Sequence, residues 1–261
     1  MSIKRSRAYW VLPCTVFGVY LFLYIPIIIL ILLSFNKSPF FTQWQGFSLD
    51  WYYQLFQSVE VWDALQNSII VALSAMFLSL TLGILLVFYA KRTLLKPISL
   101  LFYGTLAAPE IVLAVGLLSI FVYFSISLGL LSVIAGHTLI GLGYVVPMIY
   151  TRIQEMDAAL IEASMDLGAS YARTLYAVVL PFLKPTLIGA GLLVFIISFD
   201  DFIVAFFCAG ATAQTLPLYI FSVLRSGATP MINALSTILL CISGLFVLLF
   251  SLFTLRKVGF Q

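Results

Sequence analysis

The stretch SFDDFIVAFF, Ser198 to Phe207, sets two adjacent aspartates, Asp200 and Asp201, among Phe, Ile, Val and Ala. A third acid, Glu110, stands in the equally apolar run APEIVLAVGLL. A charge near the centre of a bilayer costs at least about 2.5–3.5 kcal/mol on insertion scales, so such groups face a bundle interior or a watery cavity. No Lys or Arg lies within the apolar cores that hold these acids, and the single histidine, His137, reads as a structural residue. Three uncompensated carboxylates make a place where a cation lowers the free energy. Phe199 and Phe202, with Phe206 and Phe207, are suited to wall that place, because aromatic faces also attract ammonium groups. The competing reading is packing: hydrogen bonds to Ser or Thr of a neighbouring helix, or to backbone freed at Pro109 or Pro147. Adjacent helical residues point about 100° apart, so one aspartate can face a path while the other holds a neighbouring helix.

A second constellation carries no chemistry of its own. MDAALIEASMDLGASYARTLYAVVLP, Met156 to Pro181, is read as a helix with Asp157 as N-cap and Gly168 placed to end or turn it. Glu162 and Asp166 share one side, while Leu160, Ile161, Met165 and Leu167 offer apolar surface near another. So short a helix is marginal alone in water, and docking onto another protein would stabilise it.

The elements that must position these groups follow from composition. Of 261 residues 63% are hydrophobic and 9% charged, with a mean hydropathy of +1.15. That is far from the globular balance of about half apolar and a quarter charged. Apolar windows long enough for a bilayer core of about 30 Å predict six transmembrane helices: Tyr9 to Leu33, Asn67 to Ala90, Ile98 to Phe124, Leu130 to Tyr150, Phe182 to Phe207 and Ile232 to Leu255. The first is too long for a secretory signal core and no cleavage pattern follows it, so it reads as a retained helix. With both termini cytoplasmic, the inner segments hold Lys4, Arg5, Arg7, Lys91, Arg92, Lys96, Arg152, Arg173, Lys184, Arg256 and Lys257, leaving only Lys37 and Arg225 outside. This is the asymmetry the positive-inside rule requires. The net charge of +3 is therefore a topology signal, and no basic cluster suggests nucleic acid.

In that frame Asp200 lies about 18 residues along the fifth span, roughly 27 Å, and Glu110 about 12 residues into the third, roughly 18 Å. The pair is expected in the outer half of the membrane and Glu110 near its middle. The outer segment Asn36 to Gln66, with Trp44, Trp51, Tyr52, Tyr53 and Trp62, is expected to lie partly helical at the interface, as an anchor or a docking surface. A short turn near Ser127 to Gly129 joins the third and fourth spans, whereas about thirty residues, from Arg152 to Lys184, separate the fourth from the fifth. Cys14, Cys208 and Cys241 show no CxxC spacing, a lone histidine excludes HExxH sites, and no GxxxxGK[ST] is present.

Glu162-Ala163-Ser164, Gly168 six residues after the Glu, then Val178, Leu180 and Pro181 resemble the EAA loop of bacterial ABC importer permeases, EAA-x3-G-x9-I-x-L-P, with Ser164 for Ala and Val178 for Ile. The segments YIPIIILILLSFN, WQGFSLDWY, APEIVLAVGLL, LGASYARTLYAVVLP, ISFDDFIVAFF and LPLYIFSVLRSGATPMINALSTILL extend the likeness over nearly the whole chain, to the second permease subunits (PotC-type) of spermidine/putrescine importers. The resemblance implies an all-α polytopic membrane protein with the type I (MetI-like) importer fold, one permease domain over residues 1–261, in a bacterial cytoplasmic (inner) membrane. It implies a non-catalytic subunit that binds no cofactor, with ATP and Mg²⁺ held by a PotA-type ATPase dimer. A PotB-type sister permease and a PotD-type external polyamine-binding protein complete the implied assembly. Glu162, Ala163, Ser164 and Gly168 would couple to the ATPase. Glu110, Asp200, Asp201, Phe199 and Phe202 would line a path for linear polyamines, whose spaced ammonium groups suit carboxylates at intervals with apolar or aromatic walls between. The alternatives are a permease of the same fold for another organic cation, a ferric ion or a sugar, and a stand-alone ion-coupled carrier or channel.

Overall fold

The structure, a computed structural model, describes residues 4–38, 43–89, 92–227 and 230–258. Lys91, residues 39–42 of the outer segment, and Ala228 and Thr229 lie outside the described residues, as do the side chains of Lys4, Arg5, Arg7, Arg92, Lys96, Arg256 and Lys257. Among the described residues the regular secondary structure is helical, apart from one isolated bridge between Asn36 and Phe47. The chain divides into two compact units, Met1–Val59 with Ile220–Gln261, and Glu60–Tyr219.

The first unit holds α1 (Lys4–Ser34), α2 (Asp50–Gln57) and α12 (Pro230–Val258), and α12 packs on both of the others. The segment after α1 is not loose. The Trp51 indole N–H donates to the Asn36 carbonyl at 2.8 Å, Ser34 and Tyr52 hydroxyls pair at 2.7 Å, and the Phe35 ring stacks on Phe47 and on Tyr52, each at 5.2 Å. The expected partly helical, aromatic segment is present, and its rings hold the loop.

The second unit holds α3 (Val59–Tyr89), α4 (Arg92–Ala107), α5 (Glu110–Tyr123), α6 (Leu130–Gln154), α7 (Ala158–Asp166), α8 (Tyr171–Thr174), a π-helical turn (Leu175–Val179), α9 (Leu180–Asp200) and α10 (Ile203–Cys208). It is followed by α11 (Leu216–Ser226). Among the described residues of the two units together, four helices are long and apolar enough to cross a membrane, or five if the bent pair α4–α5 is one span. The side chains of α12 are described only in its first half, so the observed helices are compatible with six spans.

Two expected spans are not continuous. Ile98 to Phe124 breaks at Ala108–Pro109, where the described parts of α4 and α5 meet at 108°. The proline cannot donate a helical bond and disfavours helix at the residue before it. Phe182 to Phe207 breaks at Asp201–Phe202, where Asp201 turns extended with ψ 123°. At its other end the helix begins before the expected span: Tyr171 to Asp200 runs as one helical rod through the π turn.

Helix α6 is the centre of the unit. Buried residues make up 61% of its apolar window, against 28% or less in the other long helices, so α6 is the most enclosed of them. Its glycines explain how. Gly136 faces Val204 of α10 and Leu117 of α5, Gly141 faces Ser79 of α3 and Val194 of α9, and Gly143 faces Thr105 of α4. In lipid, helices gain little from apolar burial, and small residues that admit close backbone approach do the work instead. A Cβ on Gly136 would lie 2.8 Å from the Val204 Cγ1, a stiff and fully buried methyl, whereas one on Gly116 of α5 would meet nothing within 4 Å. Gly136→Ala should therefore destabilise by about 1–3 kcal/mol while Gly116→Ala stays within about 0.5 kcal/mol of wild type. Thermal unfolding in detergent checks the pair.

Candidate functional site

Both breaks put an acid at the interruption. Glu110 is the first residue of α5, directly after Pro109, not a mid-helix residue as expected. Asp200 ends α9 and Asp201 follows as the link to α10. Helices α5, α6 and α10 pack together around Ala114, Leu117, Val133, Ile134, Val204 and Ala205. That packing brings the start of α5 to the start of α10, and the Glu110 side chain reaches the carboxyl of Asp201. Two of the sequence-derived site residues, 91 positions apart in the numbering, are thus neighbours. Adjacent carboxyls repel when both are ionised, and a shared proton or a cation relieves the repulsion.

The expectation that these acids lack partners is corrected for Asp201. It is buried, with 8% of its surface exposed, and its Oδ1 accepts the Val204 N–H at 3.0 Å, capping α10. Its Oδ2 lies 3.6 Å from Nε2 of His137 on α6. His137 is 2% exposed, and its Nδ1 lies 2.5 Å from the Ser198 hydroxyl of α9. Sequence alone missed this because the contact joins a residue of α6 to one in the α9–α10 link that only packing brings together; the signal was the lone histidine in an apolar span.

Asp200 and Glu110, by contrast, are exposed. Phe199 is half-buried and stacks on Phe195 at 5.9 Å, and the half-buried Phe202 sits 5.4 Å from Phe206, so both rings flank the α9–α10 break. The break itself is held at its far end too: the Ser132 hydroxyl of α6 donates to the Cys208 carbonyl at 2.8 Å. Six residues of helix would not persist alone; a capped start and a bonded end keep α10 in place.

The second constellation is built largely as read. Asp157 caps α7 by accepting the Ala159 N–H at 3.0 Å, and Gly168 takes φ +83°, a left-handed conformation that closes the helix and suits glycine. No residue of α7 is buried; Glu162 and Ala163 are exposed, and Leu160 and Leu167 stand 52% and 89% exposed. Ser164, where the EAA pattern has alanine, pairs its hydroxyl with that of fully buried Thr174 at 3.0 Å and so ties α7 to α8. Arg152 joins the start of this segment to the helical rod after it: it pairs with Glu155 and lies 4.3 Å from the centre of the Phe182 ring.

A buried polar centre between interrupted membrane helices, with an uncovered short helix set apart from it, describes a multi-pass transport component. The profile of the binding-protein-dependent transport system inner membrane components matches residues 79–256, and the chain belongs to that family. It is 39% identical over 244 residues to the spermidine/putrescine transport system permease protein PotC of Haemophilus influenzae, covering 92% of this chain and 95% of that one. With PotC of Escherichia coli K12 it shares 37% over 234 residues, 88% and 89% of the two chains. With the putrescine transport system permease protein PotI of the same strain it shares 31% over 254 residues, 94% and 90%. A bacterial ABC transporter involved in the import of the acidic polysaccharide alginate superposes with a TM-score of 0.68 at 16% identity, over 97% of this chain and 98% of that one, which shows the fold. The chain is an all-α membrane component of an ABC importer, a permease and not an enzyme.

The capping geometry can be tested on stability alone. Asp201→Ser keeps a capping oxygen for α10 and Asp201→Ala removes it, so the alanine variant should be less stable by about 1 kcal/mol. Thermal unfolding of the two variants side by side checks this.

Proposed function

We propose that this chain is a permease subunit of an ATP-driven polyamine importer for spermidine or putrescine. Its kinship, along nearly its whole length, with permeases named for those solutes is the observation that carries the reading. The neighbouring carboxyls of Glu110 and Asp201, with Asp200 exposed beside them and Phe199 and Phe202 flanking, fit a path for spaced ammonium groups. The whole chain acts as one permease domain beside a PotB-type sister subunit. A PotD-type binding protein delivers the polyamine from outside, and ATP with Mg²⁺ is bound by a PotA-type ATPase dimer, since this chain has no phosphate-binding loop.

Coupling runs through α7. Its exposed face suits docking into the ATPase, with Glu162 making the polar contact, Ala163 and Ser164 beside it, and Gly168 allowing the turn. Movement there passes along Tyr171 to Asp200, one helical rod that ends at the acids.

The test is ATP-dependent uptake of labelled spermidine into proteoliposomes holding the full complex and its binding protein. Wild type should transport, and Glu110→Gln or Asp200→Asn should lower uptake at least about tenfold while the complex still assembles, as expected for loss of a charge contact at the path. Glu162→Lys and Gly168→Asp should abolish uptake with the protein still in the membrane. A wild-type complex that ignores polyamines reassigns the solute; normal uptake by the Glu162 and Gly168 variants removes the coupling role.

A further inference from the structure

Asp201 differs from the other two acids in what its oxygens already do. One caps α10 through Val204 at 3.0 Å, and the other faces His137 Nε2 at 3.6 Å, an atom that has no hydrogen-bond partner among the described residues. Neither oxygen is open, and both residues are buried. Glu110 and Asp200 are exposed.

The protons fix what passes between the ring and the acid. If the Ser198 hydroxyl donates to Nδ1, then Nε2 carries the hydrogen and points it at the ionised Asp201. If Nδ1–H donates to Ser198, then Nε2 offers a lone pair that only a protonated Asp201 satisfies. In both arrangements the Nε2 edge of the ring and Oδ2 face each other at 3.6 Å, a through-space polar contact longer than a hydrogen bond. That edge of Asp201 is thereby faced from within the protein, by a residue on a third helix. The chain Ser198–His137–Asp201–Val204 links α9, α6 and α10 across the break, and Glu110 of α5 stands at its open end.

We propose that His137 is a positioning residue: it holds Asp201 as a buried brace at the α9–α10 break, leaving Glu110 and Asp200 as the carboxylates that meet an ammonium group. This deepens the polyamine-path reading and rests on it. The aspartate pair then divides its labour, the outward member contacting the solute and the inward member fixing where the path wall turns.

The experiment is a double-mutant cycle in the full complex with its binding protein, reading the maximal rate of spermidine uptake. His137→Met keeps bulk and removes both nitrogens, His137→Gln keeps an N–H donor, and Asp201→Ser keeps the α10 cap but does not reach position 137. His137→Met should lower the rate about tenfold and His137→Gln should restore it to within about threefold of wild type, with the Met and Ser changes together no worse than Ser alone. A ring that only packs gives the opposite pattern, and overturns the proposal: Met and Gln alike, or losses that multiply in the double variant. Glu110→Gln and Asp200→Asn measured in parallel separate the two readings. Normal uptake by both defeats the path itself, whereas failure of the His137 cycle alone defeats only the brace.

Discussion

A helix interrupted inside a membrane leaves backbone groups that water cannot reach, and each costs several kcal/mol unless the protein satisfies it. At the α9–α10 break that task falls to Asp201, whose carboxyl takes the first amides of α10, while Ser132 takes the Cys208 carbonyl at the other end. The position of the acid is thus set by a backbone requirement. Because the acid must stand there, its second oxygen needs compensation as well, and His137 on α6 is the neighbour that meets it. The polar centre of this permease follows from how one broken helix disposes of its ends.

That arrangement depends on α6 lying close to everything around it. Its glycines let α3, α4, α5, α9 and α10 approach within contact of its backbone, and the same closeness brings His137 to Ser198 and Asp201. A bulkier α6 would separate the ring from Ser198 by more than a hydrogen bond tolerates and draw it away from Asp201. Helix packing by small residues and the construction of the polar centre are, in this chain, one requirement.

Helix α7 obeys the contrary logic. It has no fully buried residue, is capped at both ends, and is tied to the rod behind it by the half-buried Ile161 and by one hydroxyl pair, Ser164 with Thr174. A short, rigid, uncovered helix is suited to be gripped from outside, and a continuous helix from Tyr171 to Asp200 is suited to carry displacement to the acids. The substitution of serine for alanine in the EAA pattern has a local reason here, since Thr174 is fully buried and its hydroxyl needs a partner.

What could be read from sequence was whatever depends on neighbours along the chain. The apolar runs, the bias of Lys and Arg, the Asp157 cap and the Gly168 turn are local free-energy choices, and they determined the membrane class, the helices and the capped short helix α7. The cost of unpaired acids marked Glu110, Asp200 and Asp201 without saying which way they faced. Tertiary structure decided that. Pro109 is a local breaker visible in the sequence, but the 108° bend it makes and the extended turn at Asp201 depend on how the flanking helices pack. The pairing of His137 with Asp201, the approach of Glu110, and the division between a buried and an exposed aspartate arise from contacts between distant segments, which no periodicity along one chain encodes.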